Sequence, residues 1–258
     1  MKLYFKYVSM HIRSMLEYKA SFITSLLAQI PLFFTYYFFI VALFDKFGNI
    51  KGYTLYEVLL CFAVIHFGYS FCETFLRGID KFDRLIITGT FDRFLLRPKG
   101  IMYQVILSDF DIIKIMRTLQ SLIILVISLI NLKIVLTPLK VVTLILMLVS
   151  AIMIFASLFI VAAAYCFWTV QGLEIRNAFT DGGKHLAQYP ISIFKKGVIY
   201  FFTFIIPYAF VNYYPLLYFL GKTNNPIYAI SPIITILYLI PALIIFRLGL
   251  KKYSSVGS

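Results

Sequence analysis

The chain has 258 residues, 61% of them hydrophobic and only 14% charged, with a mean hydropathy of +0.90. That composition excludes a soluble globular domain and defines an all-α polytopic membrane protein. Its net charge of +13 would suit nucleic acid, but such binding needs a basic surface on a folded soluble domain, and none is legible here.

Residues 1–21 are too charged to cross a bilayer. Lys2, Lys6, Ser9, Arg13 and Glu17 recur every three or four residues and form one polar stripe, with Leu3, Tyr7, Val8, Ile12, Met15 and Leu16 on the other faces. This pattern predicts a helix lying in the headgroup interface. Charges run through these residues and no small-residue cleavage site follows, so a removable leader is not expected.

Six spans are expected. The first covers 22–44, with Pro31 as a kink, and the second 55–76, with His66 near its middle and Glu73 near its end. The third covers 112–132, where Lys114 and Arg117 are placed to snorkel, and the fourth 139–168. Residues 171–197 read as a polar loop turning at Asp181-Gly182-Gly183. A fifth span is expected from about Val198, interrupted by Pro207, Asn212 and Pro215 within a tyrosine cluster. The last covers 233–250 and ends in Lys251-Lys252.

With the N-terminus inside, the inner segments hold 19 of the 24 lysines and arginines. The positive-inside rule therefore places both termini in the cytoplasm, and this bias accounts for the net charge.

Between the second and third spans lies the longest polar interruption, residues 77–111. Ile79, Phe82, Leu85 and Ile86 share one helical face, while Asp80, Lys81, Asp83 and Arg84 fall largely on the other. Gly89 breaks the pattern, Thr90 can cap a second short helix with Asp92 in its first turn, and Arg97-Pro98 closes it. Two short amphipathic pieces cannot span a bilayer. They predict a surface knob tipped by Phe91, whose Asp92, Arg93 and Arg97 can make charge-assisted contacts with another protein.

No nucleotide-binding loop, hydrolase motif or metal-ligand spacing appears, and Cys61, Cys72 and Cys166 all fall in apolar runs. No cofactor or metal is expected in this chain. Polar residues within the spans are few. Glu73 can pair with Arg77 at i, i+4, and His66 suits a helix-packing hydrogen bond. His66, Gln29 and Asn212 are the candidates for a substrate path.

The run Gly89-Thr90-Phe91-Asp92-Arg93-Phe94-Leu95-Leu96-Arg97-Pro98 resembles the signature of ABC-2 type transporter permeases. Phe167-Trp168, Tyr189-Pro190, Pro207 and Pro215 are similar in order and spacing, so the likeness covers essentially the whole chain. The resemblance implies a six-span permease in the bacterial cytoplasmic membrane, without its own ATPase domain. It implies pairing with a second permease, identical or different, and with two copies of an ABC ATPase that holds ATP and Mg. Residues 77–111 would then be the coupling loop, with Asp80, Phe82, Asp83, Arg84, Gly89, Phe91, Asp92, Arg93, Arg97 and Pro98 as its ATPase contacts. Residues 1–21 would be the connecting helix and 207–232 an outer re-entrant region. An aromatic-walled path suggests export of an amphipathic or apolar substrate, such as a drug, peptide or lipid. The alternative is a stand-alone secondary carrier or membrane-embedded enzyme, which would need convergent ionisable groups.

Overall fold

The computed structural model describes residues 2–169 and 177–254. Residues 170–176, which open the second polar segment, lie outside the described residues, as do Met1, residues 255–258 and the side chains of residues 2–5, 32 and 33. Among the described residues the fold is helical, and its one β-like contact is the bridge between Ile50 and Tyr53 in a tight loop.

Among the described residues, five helices are long and apolar enough to cross a membrane: Lys19–Phe47, Leu55–Phe75, Ile112–Leu132, Pro138–Tyr165 and Pro226–Lys252. We call the first four spans 1 to 4 and the last span 6. The N-terminal helix Lys2–Glu17 leads into span 1 through Tyr18. Span 2 is the core of the bundle. It starts under a capping box between Thr54 and Glu57, packs on spans 3 and 4, and is buried along most of its length. Span 1 contrasts with it: only 12% of its most apolar window is buried.

Spans 2, 4 and 6 run in one direction and span 3 returns between them. Tyr69 packs on Phe155 and Phe159 of span 4, and Phe246 of span 6 packs on Phe167 just beyond span 4. The ends near Phe75, Ile112, Tyr165 and Lys252 therefore share one face with the N-terminal helix, which touches the 77–111 segment. We call this the basic end.

The fifth crossing departs from expectation. Instead of a loop turning at Asp181-Gly182-Gly183, residues 178–187 are helical, a π turn (Ala178–Gly182) continued by Gly183–Ala187. They lie inside the bundle: Tyr69 Oη donates to Asp181 at 2.8 Å, and Gln188 meets the His66 ring at 3.1 Å. His66 is eleven residues from Leu55, or about 16 Å along the helix, so this contact falls near mid-membrane. Ser192 then reaches Tyr53 at the opposite end. The described part of the fifth crossing, residues 177–192, is thus made of short pieces.

The helices Lys196–Ile205 and Ala209–Phe219 do not form a span. They meet at 90°, and both outer ends lie away from the basic end, since Lys222 pairs with Glu57 and sits over the Tyr53 ring. The tip is deep: Tyr208 packs on Phe155, and Tyr238, halfway along span 6, donates to the Ile205 carbonyl. This is a re-entrant hairpin over 196–219, not 207–232, and span 6 starts at Pro226 rather than near 233. Proline removes a donor and fixes φ, so Pro207 breaks the helix at the tip, while Pro226 takes the first-turn position where it is tolerated.

Candidate functional site

Four short helices build the knob: Arg77–Asp80, Phe82–Ile87, Asp92–Leu95 and Ile101–Ser108. The first lies flush against the last; a Cβ on Gly78 would stand 1.9 Å from the Val105 carbonyl oxygen, so only glycine allows that approach. Gly89 has φ +64°, which lets the chain reverse and bring the Phe91 amide to the Leu85 carbonyl. Thr90 does not cap the following helix. Its hydroxyl turns back to Leu85 and Thr88 because the chain at Phe91 is already helical.

The expected aromatic tip is not at the surface. Phe91 is 0% exposed and its ring meets Tyr253 edge-on at 5.0 Å, Phe82 at 5.1 Å and Phe167 at 5.6 Å. Phe82, also buried, continues the cluster to Phe246 of span 6. Both rings are therefore removed from direct contact with a docked protein, because a ring in a packed aromatic seat gains more than one left in water. Tyr253 also donates to the Asp92 carboxylate at 2.8 Å.

Asp80 and Asp83 are buried as well, against the amphipathic pattern. Asp80 bridges to Arg77, which also lies 3.8 Å from Asp111, and Lys81 pairs with Asp109 at 2.7 Å. Arg77 is thus committed within the knob and does not pair with Glu73. What faces outward is a ridge of Arg84, Ile87, Arg93, Leu96, Arg97 and Pro98, with Leu96 87% exposed.

A second constellation lies at mid-bundle. Span 2 presents His66, Tyr69, Ser70 and Glu73 at i, i+3, i+4 and i+7, one helical face. Arg117 of span 3 does not snorkel: its Nε donates to Gln29 of span 1 at 2.7 Å and its Nη1 to Glu73 at 3.2 Å. Thr118 donates to Ser70. From the fifth crossing, Lys184 pairs with Asp181 at 2.8 Å and stands 3.9 Å from the centre of the Tyr69 ring. His66, Tyr69, Ser70, Arg117, Asp181 and Lys184, with Tyr36 of span 1, border a cavity of about 210 Å³.

His66 and Gln29 thus belong to one cluster, while Asn212 sits apart and ties the re-entrant hairpin to the Ala187 carbonyl. Tyr69, Arg117, Asp181 and Lys184 were missed as site residues. The periodicity of span 2 was available in the sequence; the inward placement of Asp181 and Lys184 was not.

A bundle of apolar spans carrying a polar knob at one end is the architecture of a membrane-embedded transport subunit. The chain matches the model of the ABC-2 family transporter protein over residues 30–257, and it belongs to that family. Membership implies association with an ABC ATPase in a membrane. Neither the curated proteins nor the solved structures gave a match.

Proposed function

We propose that this chain is the permease of an ATP-driven exporter in the bacterial cytoplasmic membrane, paired with a second permease and served by two copies of a separate ATPase. The observation that carries the reading is the seat of the knob. A force on its outer ridge passes through Phe91 and Phe82 to Phe167 and Phe246, and so to the ends of spans 4 and 6. Packed aromatic clusters transmit displacement because they resist compression. The ridge offers an apolar anchor in Leu96 and charge-assisted contacts from Arg93 and Arg97, the composition of an interface hot spot.

The charge bias supports cytoplasmic termini in spite of the revised topology. With Lys195 and Lys196 moved to the far side, Arg117 and Lys184 inside the bundle and Arg176 outside the described residues, 14 basic residues remain at the basic end against 7 opposite.

The test is co-purification of the tagged chain with a candidate ABC ATPase. Leu96→Asp and Arg97→Ala should leave yield and melting unchanged but weaken capture at least tenfold, on the order of the 2 kcal/mol expected of a buried anchor. Lys51→Ala at the far end should be silent. Wild-type capture by both ridge variants would remove the coupling role.

A further inference from the structure

Buried charges in a membrane bundle are costly unless they have partners or a ligand. Among the described residues, the mid-bundle cavity is bordered by two cations, Arg117 and Lys184, and one carboxylate, Asp181. That carboxylate is engaged, because the same oxygen accepts from both Tyr69 and Lys184 at 2.8 Å. Glu73 balances Arg117 from behind, since it bonds the guanidinium but does not border the space. The described wall therefore offers cationic donors in excess of carboxylate, namely the remaining N–H groups of the Arg117 fork and those of the Lys184 ammonium, with Tyr36 beside them.

The cavity is also reachable from lipid. Tyr36, which borders it, is 39% exposed on the sparsely packed span 1, and Phe179 and Leu186 are exposed on the fifth crossing. An apolar chain can lie along this face while a polar head enters between the cations.

Resting on the transport reading above, we propose that the cavity is the head-group site for an anionic amphiphile, a carboxylate or phosphate on an alkyl chain, which is the class of compound exported. This narrows the amphipathic or apolar substrate suggested by aromatic content alone: the polarity of the wall selects the head, and the lipid-facing side accommodates the tail.

The full chain purified in dodecyl maltoside already sits in an excess of neutral twelve-carbon amphiphile, so added heads are read directly. Monododecyl phosphate should bind at least tenfold more tightly than dodecyltrimethylammonium by isothermal titration, with a rise in melting temperature. Tyr36→Phe, a lipid-accessible position, should lose several-fold in phosphate affinity with unchanged melting of the unliganded protein. Arg117→Gln should lose at least tenfold. Should Arg117→Gln fail to fold, Tyr36→Phe still decides. No preference for the anionic head, a preference for the cation, or undiminished binding in Tyr36→Phe would overturn the site.

The assembled complex with its ATPase separates cargo from resident lipid. Stimulation of hydrolysis by monododecyl phosphate supports the export assignment. Competition by vesicles of anionic phospholipid, without stimulation, would overturn cargo and leave a lipid-binding site. Loss of ATPase association altogether would fault the transport reading while the binding measurement stood.

Discussion

Phe91 and Leu96 are five residues apart and have opposite fates, one sealed in an aromatic seat and the other in water. Their substitutions should therefore fail differently. Phe91→Ala empties a fully packed site and should cost ~3–5 kcal/mol, seen as reduced folded yield and a lower melting temperature with or without the ATPase. Phe91→Leu should recover most of it. Leu96→Asp should instead spare folding and affect only capture. Gly89→Ala should destabilise by about 1 kcal/mol despite open space around it, because the strain lies in the positive φ and not in any clash. Equal melting of Gly89→Ala and wild type would show that the reversal relaxes at no cost.

Among the elements, the re-entrant hairpin and the fifth crossing carry the clearest topological test. In a cysteine-free background, single cysteines at Asn49, Lys196 and Thr223 should label together from one side, and one at Lys99 from the other. A cysteine at Lys184 should resist impermeant reagents from both sides, because the residue is 5% exposed between spans. Labelling of the Lys196 and Lys99 positions from the same side would refute the hairpin.

Five spans and the knob were legible, the last span with a late start, because their signals are local: long apolar runs, a glycine at a reversal, a proline after the last turn. Residues 177–188 were misread for the opposite reason. Asp181, Gly182, Gly183 and Lys184 have the composition of a turn, and their place inside the bundle depends on Tyr69, more than a hundred residues earlier, to receive the carboxylate. Likewise the amphipathic pattern of 79–86 gave one helix where the structure has two that meet at Lys81, and it put Asp80 and Asp83 in solvent; the knob folds on itself, and Arg77 draws Asp80 inward. Local periodicity carries no record of such partners.

At the scale of the whole molecule, span 1 is the conspicuous surface. Its most apolar window is 12% buried, while Gln29 on the same helix is held by Arg117. A single chain thus leaves one side of its polar cavity fenced by one loosely packed helix. We expect the active unit to contain two permease chains, identical or not, closing that side. Mass measurement of the detergent-solubilised complex should give two permeases per assembly, and full activity from a complex with one would contradict this.

The aromatic seat of the knob has a consequence for biosynthesis. Residues 77–108 leave the ribosome early, yet Phe91 and Asp92 find their partners in Phe167 and, last of all, in Tyr253. Until residues as far as Tyr253 have been made, the knob lacks part of the floor on which it rests. The ridge proposed to receive an ATPase is therefore fully supported only in chains that extend through Tyr253. A permease cut before that residue should hold the ridge less firmly, and under the proposed coupling it should capture an ATPase less well.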